Sequence, residues 1–241
     1  MTIARLDAPS RTWARALPGV CALCRGWHTH GICPSCVQRF APPQPRCASC
    51  ARPTPADVSR CGQCLSQASA FKRCITAVDY VAPWDRLITA FKFHRQVELA
   101  AALAQLIEQA VLAAGEPLPA LLLPVPLSRE RLRERGYNQA WELARRLGRS
   151  LHIASSSVAL QRGRDTAHQI GMTRQERERN LRDAFWVEPA PRAMLEGLHV
   201  ALVDDVFTTG ATAHAAALAL VRAGAARVDV WVVARTPLGD E

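Results

Sequence analysis

Apolar positions along the 241-residue chain fall into two regimes. Residues 1–72 are rich in proline and polar residues and have few periodic apolar positions, whereas from Cys74 onward short apolar runs alternate with longer amphipathic stretches. Ile75–Val81 predicts a strand, Asp85–Phe93 a short helix, and Glu98–Ala114 a helix that stops ahead of Gly115 and two prolines. Ala120–Leu123 is fully apolar and predicts a central parallel strand ending at Pro124-Val125-Pro126. Tyr137–Arg149 predicts a helix with Asn138 as its cap. Weak strands at Leu151–Ala154 and Val158–Leu160, a charged helix at Thr173–Arg182, a strand at Ala184–Val187 and a loop at Pro189–Gly197 follow. The clearest unit comes last: strand His199–Val203, helix Ala211–Ala223 stopped by Gly224, and strand Arg227–Val233. This alternation predicts an α/β fold, a parallel sheet flanked by helices on both faces.

The first 72 residues cannot bury enough apolar surface to fold unaided, so a cross-link must stabilise them. Eight of the nine cysteines lie here, as Cys21, Cys24, Cys33, Cys36, Cys47, Cys50, Cys61 and Cys64. Four regularly spaced Cys-x-x-Cys pairs point to two tetrahedral zinc sites, the first four cysteines on one ion and the last four on another. That pattern reads as two zinc ribbons, with Leu65–Lys72 a linker, giving a small N-terminal domain over 1–72 and an α/β domain over 73–241. His28 and His30 fall in the first loop and are read as loop residues, since thiolates already fill the shell. Cys74 opens an apolar stretch and is read as a buried core thiol.

Charge changes the picture little. The formal net charge is +9, and two zinc–tetrathiolate sites at −2 each would lower it to about +5. The basic residues are almost all arginine; Lys72 and Lys92 are the lysines. No apolar run approaches the ~18 residues that would span a bilayer, and Met1–Leu17 lacks the continuous apolar core of a signal peptide. A cytoplasmic protein with no membrane insertion is expected.

Candidate chemistry concentrates in Val200–Thr212, Val-Ala-Leu-Val-Asp-Asp-Val-Phe-Thr-Thr-Gly-Ala-Thr. Two adjacent carboxylates at a strand end, followed by free backbone N–H groups at a helix start, suit a ligand carrying both hydroxyls and a phosphate. An ordinary strand–turn–helix connection with capping Asp and Thr would have the same local composition. A second segment, Pro124–Ala140, follows a core strand and carries Arg129, Arg131, Arg133 and Arg135 ahead of Gly136. On charge alone it is a solvated loop, with Glu130 and Glu134 balancing its arginines. The nucleotide-binding pattern Gly-x-x-x-x-Gly-Lys-Ser/Thr is absent from the sequence. His94, His152, His168, His199 and His214 have no spacing that suggests a metal site or triad, although His214 falls in the first turn of the helix after the Thr/Gly turn.

The Asp-Asp-Val-Phe-Thr-Thr-Gly-Ala-Thr string resembles the PRPP-binding motif of type I phosphoribosyltransferases. Pro-Val-Pro followed by Arg-x-Arg-Gly-Tyr-Asn-Gln-Ala resembles the ComF/GntX family of phosphoribosyltransferase-like proteins. The resemblance extends to Tyr80 and Ala90-Phe91-Lys92-Phe93, to Leu160-Gln161-Arg162 with Thr166 and Gln169, to Arg177, Asn180, Leu181, Ala184 and Phe185, and to the double zinc ribbon. It covers about residues 20–236, and Phe207 is a larger loop residue than the motif leads one to expect. The resemblance implies a type I phosphoribosyltransferase-like sheet preceded by a double zinc ribbon. It implies that Asp204 and Asp205 bind the ribose hydroxyls, that Thr208, Thr209, Gly210, Ala211 and Thr212 wrap the 5-phosphate, and that Arg133, Arg135 and Gly136 meet the pyrophosphate with its Mg²⁺. Arg162, Arg164, Thr166 and Gln169 would belong to a mobile loop over the site.

Two functions from different classes follow. One is a PRPP-binding, phosphoribosyltransferase-like protein linked to DNA uptake, natural transformation or use of external DNA; if catalytic, it transfers the phosphoribosyl group with release of pyrophosphate. The other is a non-enzymatic accessory factor whose zinc ribbons contact single-stranded DNA or a DNA-processing protein, with PRPP as an effector or vestigial ligand. The first 75 residues carry ten Arg/Lys against two Asp, which suits phosphate contacts, but few aromatic residues for base stacking.

Overall fold

A computed structural model describes residues 19–29, 31–163 and 184–237. The predicted helix at Thr173–Arg182, together with Arg164, Thr166 and Gln169, lies outside the described residues. The chain divides into two compact units, Met1–Pro42 and Pro43–Glu241.

The first unit holds an antiparallel pair, β1 (Gly19–Val20) and β2 (Trp27–His28), and helix α1 (Pro34–Phe40). Its hairpin closes through the Cys21 N–H to the Gly26 carbonyl at 2.8 Å and the Arg25 N–H to the Cys21 carbonyl at 3.0 Å.

The second unit opens with a similar turn at Cys47–Ala51 and the short helix α2 (Gly62–Ser66). Then come β3 (Arg73–Asp79), α3 (Trp84–Phe93), α4 (Leu99–Ala113), β4 (Leu121–Pro124), α5 (Arg129–Arg135), α6 (Gln139–Leu151), β5 (Ala154–Ser155) and β6 (Leu160–Arg162). β7 (Phe185–Val187), α7 (Pro189–Leu195), β8 (His199–Phe207), α8 (Ala211–Arg222) and β9 (Arg227–Arg235) complete it. Five strands form one parallel sheet in the order β3-β9-β8-β4-β5. β6 and β7 form a separate antiparallel pair.

Burial on both faces explains why the sheet strands are nearly continuous hydrophobic runs. Val200 and Leu202 of β8 join a cluster with Ala213, Ala216, Ala217 and Leu220 of α8 and Phe185 of β7. On the other face α4 and α6 pack together and against β3, β4, β8 and β9. The run of small residues in α8 lets that helix approach the sheet closely. At the amino end of the sheet, buried Asp229 accepts from Arg227 Nε at 3.0 Å and pairs with His199 Nε2 at 2.9 Å. Charge at that end is neutralised within the fold.

Four features depart from the sequence pattern. β8 runs to Phe207, four residues past Val203, because β9 continues to Arg235 and offers a parallel partner throughout. The arginine-rich stretch is helix α5, not a loop: the Ser128 hydroxyl accepts from the Arg131 N–H at 3.4 Å, and Gly136 ends the helix at φ 80°. Pro189–Leu195 is also helical, since a proline at the first position gives up no intrahelical hydrogen bond. The stretch read as a linker ends packed, with Phe71 buried and the Lys72 N–H on the Val228 carbonyl at 2.7 Å. Asn138 caps α6 as expected, accepting from the Trp141 N–H at 3.3 Å, and Cys74 is buried. Among the described residues no helix is long and apolar enough to cross a membrane.

Leu202 is fully buried in the sheet, whereas Leu65 is 72% exposed. Truncating Leu202→Ala should cost about 2–5 kcal/mol in denaturant unfolding, while Leu65→Ala should fall within about 0.5 kcal/mol of the parent.

Candidate functional site

The carboxyl ends of β4 and β8 open onto a cavity of about 140 Å³. Asp204, Asp205 and Thr212 form one side; Lys92, Arg131, Arg135 and Arg162 supply positive charge around the rest. Ligands of open α/β sheets bind at such strand ends.

The acidic pair sits on β8 itself. Asp205 faces Lys92 Nζ at 2.8 Å, with the two side chains only 8% and 18% exposed. Asp204 Oδ1 accepts the Asp205 N–H at 2.8 Å. Burial, joined by the neighbouring Asp205 charge, pushes the Asp204 carboxyl up to about 7 despite the opposing pull of Lys92. One carboxylate is therefore paired with a lysine, and the other is poised to titrate near neutrality. Both can accept hydroxyl donors once ionised.

The turn after β8 is built around Gly210, at φ 83° in the left-handed region. A Cβ there would lie 2.5 Å from Phe207 Cζ, so the backbone rests directly on that ring and only glycine fits. This accounts for the size of Phe207: it is buried beneath the turn, against Phe71 edge-on with ring centres 5.9 Å apart. Thr208, Thr209 and Ala211 are exposed, and Thr209 Oγ1 accepts the Ala211 N–H at 3.4 Å. The turn thus offers backbone N–H groups at the start of the twelve-residue helix α8, a favourable arrangement for an anion. His214 is a packed imidazole whose Nδ1 accepts the Ala70 N–H at 3.2 Å.

The opposing cationic side depends on the Tyr137-Asn138-Gln139 run. The Tyr137 hydroxyl donates to the Phe91 carbonyl. Asn138 Nδ2 donates to the Val125 carbonyl at 3.2 Å, and Gln139 Nε2 donates to the Lys92 carbonyl at 3.2 Å. Gln139 Oε1 meanwhile accepts from Arg135 Nη1 at 3.1 Å, and the Arg135 guanidinium lies 4.9 Å over the Phe93 ring. These contacts tie the start of α6 to the ends of α3 and β4 and orient both Lys92 and Arg135.

Of the residues named from sequence, Lys92, Arg131, Arg135, Arg162, Asp204, Asp205 and Thr212 line the cavity together. Thr208, Thr209, Gly210 and Ala211 form the adjoining turn. Arg133 points to the exposed side of α5 and Gly136 ends that helix, whereas Arg131, one turn before Arg135, faces the cavity. Arg131 was named with the arginines of this segment but not assigned to the pyrophosphate, and Asn138 was read only as a helix cap. The i, i+4 spacing of Arg131 and Arg135 puts both on one face once a helix between Ser128 and Gly136 is recognised.

Two further groups could hold metal. Cys21, Cys24, Cys33 and Cys36 form one quartet and Cys47, Cys50, Cys61 and Cys64 another, each with its sulfurs within 4.8 Å of one another. Cys24 and Cys33 Sγ are 3.7 Å apart, as are Cys50 and Cys61 Sγ. A tetrahedral site with Zn–S bonds of ~2.3 Å has an S···S edge of about 3.8 Å, so the donor sets fit zinc. In both quartets the leading sulfur receives a backbone N–H, from Cys33 to Cys21 at 3.4 Å and from Cys61 to Cys47 at 3.3 Å. Burial opposes ionisation of these two thiols, but the backbone donors win and hold each at about 6.

No protein-family model matches the chain. It is 38% identical over 227 residues to the DNA utilization protein YhgH of Salmonella typhi, covering 91% of this chain and 98% of that protein. It is 34% identical over 223 residues to Competence protein F of Haemophilus influenzae, covering 89% and 96%. A shorter match, 36% over 117 residues, relates it to Competence protein ComFC of Bacillus subtilis, covering 48% and 45%. Among solved structures, the glutamine PRPP amidotransferase from B. subtilis aligns with a TM-score of 0.41 and 19% identity, covering 59% of this chain and 30% of that one. At that score the likeness adds nothing to the topology above.

Two outcomes are expected. Because the folded protein raises the Asp204 carboxyl to about 7, its contribution to stability is full below the unfolded value of ~4 and is lost as pH rises through about 7. Asp204→Asn cannot ionise, so its melting temperature should exceed that of the parent at pH 8 and the difference should shrink by pH 5. Metal analysis should find two zinc ions per full chain, falling to one in Cys64→Ser.

Proposed function

The chain belongs to the ComF/GntX family of competence and DNA utilization proteins, and from that premise we propose that it binds PRPP at the carboxyl end of β8. The observation that carries this reading is the division of the cavity. A carboxylate pair and a helix-start turn stand on one side, and Lys92, Arg131 and Arg135 on the other. PRPP divides in the same way, into ring hydroxyls and a 5-phosphate at one end and a pyrophosphate at the other. In this proposal Asp204 and Asp205 accept the ribose hydroxyls, the 208–212 turn cradles the 5-phosphate, and Lys92, Arg131 and Arg135 meet the pyrophosphate. Mg²⁺ travels on the pyrophosphate oxygens and neutralises their charge. Arg162 closes the cavity from β6.

If transfer occurs, a nucleophile bonds to the anomeric carbon while the bond to pyrophosphate breaks, and the leaving group takes the electron pair. This chain's residues would hold the ribose still and stabilise the departing anion. We assign Asp204 and Asp205 to recognition, not to general-base work. The proposal treats 1–72 as a ribbon module and 73–241 as the PRPP-binding domain. It also assigns a cytoplasmic location, where thiolate sites stay reduced, and a role in DNA uptake or use.

A second role, contact with single-stranded DNA through the first ribbon, is favoured by Trp27. That side chain is 80% exposed on the β1–β2 pair, two residues from Arg25. An exposed ring is suited to stacking on a base.

Calorimetry with Mg-PRPP should yield binding by the full chain and a loss of ~10-fold or more in the Asp204→Asn/Asp205→Asn double variant, since each carboxylate–hydroxyl bond contributes about 1.5–3 kcal/mol. Equal heats from parent and double variant would remove the carboxylates from the site. For the ribbon, Trp27→Ala should weaken salt-sensitive oligonucleotide binding by about 1–3 kcal/mol; unchanged affinity would exclude Trp27 as a platform.

A further inference from the structure

The second cysteine quartet lies in the same compact unit as the turn at 208–212, and two separate contacts join them. The first runs through Arg235, the last residue of β9, which is almost completely buried. Its Nε donates to the carbonyl of Cys50, one of the quartet, at 3.0 Å. Its Nη1 donates to the Phe207 carbonyl at 3.3 Å and also to the Thr236 carbonyl. The guanidinium itself lies 5.1 Å over the Phe207 ring, and Gly210 rests on that same ring. A buried guanidinium is costly unless its donors are satisfied. The acceptors named here are carbonyls, so their positions govern where Arg235 can sit. Moving the Cys50 carbonyl would move Arg235, and with it the support beneath the turn.

The second contact reaches the other end of the turn. Ala70, in the segment leading out of the quartet, donates its N–H to His214 in the first turn of α8. Its neighbour Phe71 packs edge-on against Phe207. The turn is thus held from the ribbon side both before it, at Phe207, and after it, at His214. The cationic side is tied instead to α3 and β4 through Tyr137, Asn138 and Gln139.

We infer that the second quartet is a regulatory metal site for the phosphate turn. Metal bound by Cys47, Cys50, Cys61 and Cys64 fixes the Cys50 carbonyl, and Arg235 acts as the positioning residue that transmits this to Phe207 and Gly210. Loss of that metal loosens the turn and weakens phosphate binding. This rests on the reading of 208–212 as the 5-phosphate site. Coupling of two binding sites is reciprocal, so a phosphate ester in the turn should also help the quartet retain its metal.

The test uses the zinc-loaded full chain with two probes, ribose 5-phosphate for the turn and inorganic pyrophosphate for the cationic side. Arg235→Lys should weaken ribose 5-phosphate by ~10-fold or more, the loss expected for hydrogen bonds to a charged donor. Pyrophosphate affinity should stay within about 2-fold, as for independent sites. In the parent, saturating ribose 5-phosphate should slow the loss of one of the two zinc ions to a chelator and leave the other unchanged. Ribose 5-phosphate binding that is indifferent to Arg235→Lys, together with unaltered zinc loss, would overturn the coupling and leave the PRPP reading intact. An equal fall for both probes would show general loosening and also overturn it. If Arg235→Lys does not fold, the zinc-loss comparison on the parent decides by itself. Failure of the parent to bind ribose 5-phosphate at all would instead overturn the PRPP reading, and the inference with it.

Discussion

The candidate site depends first on β8 being fixed along both edges and both faces. β4 and β9 pair with it in parallel, helices cover each side, and the β9 pairing persists to Phe207 and Arg235. Such a strand has no slack: a one-residue slip would exchange its faces. Asp204 and Asp205 therefore sit at defined heights above the sheet, and the turn beginning after Phe207 starts from a fixed point. The short cavity at the strand ends is a consequence of that registry.

Charge then determines how the cavity can be used. At the amino end of the sheet Asp229 is matched by Arg227 and His199. At the carboxyl end the Lys92–Asp205 pair is matched, but Asp204 lies in a setting that resists ionisation. Four basic side chains and two carboxylates share the cavity lining, the two kinds of group that the proposed ligand's phosphates and hydroxyls would meet. Burying a lysine–carboxylate pair is costly in itself, so the pair is weak evidence for stability.

Much of this was legible in the chain. The apolar run into Asp204-Asp205, the Thr/Gly turn and the alanine-rich helix mark the cavity-lining βα unit because local pattern alone forms it. The cysteine quartets were legible from spacing, since Cys-x-x-Cys turns are local structures. What escaped depends on distant partners. The extension of β8 to Phe207 needs β9 beside it, and polar Asp204 and Asp205 conceal it. Helix α5 has no apolar period, with Leu132 itself exposed, and only Ser128 and Gly136 announce it. Lys92 stood out merely as a rare lysine; its contact with Asp205 crosses the fold. Phe207 is larger than the motif leads one to expect because Gly210 rests on its ring, a contact that sequence does not reveal.

In the proposed orientation PRPP lies at the carboxyl end of β8 with ribose and 5-phosphate toward β8 and α8 and pyrophosphate toward Lys92 and α5. A crystal structure of the full chain soaked with Mg-PRPP tests it most directly. Density is expected for the ring hydroxyls on Asp204 and Asp205, the 5-phosphate in the 208–212 turn, and the pyrophosphate beside Lys92, Arg131 and Arg135. Density for the ligand at another surface, or in this cavity with its two ends reversed, would contradict it.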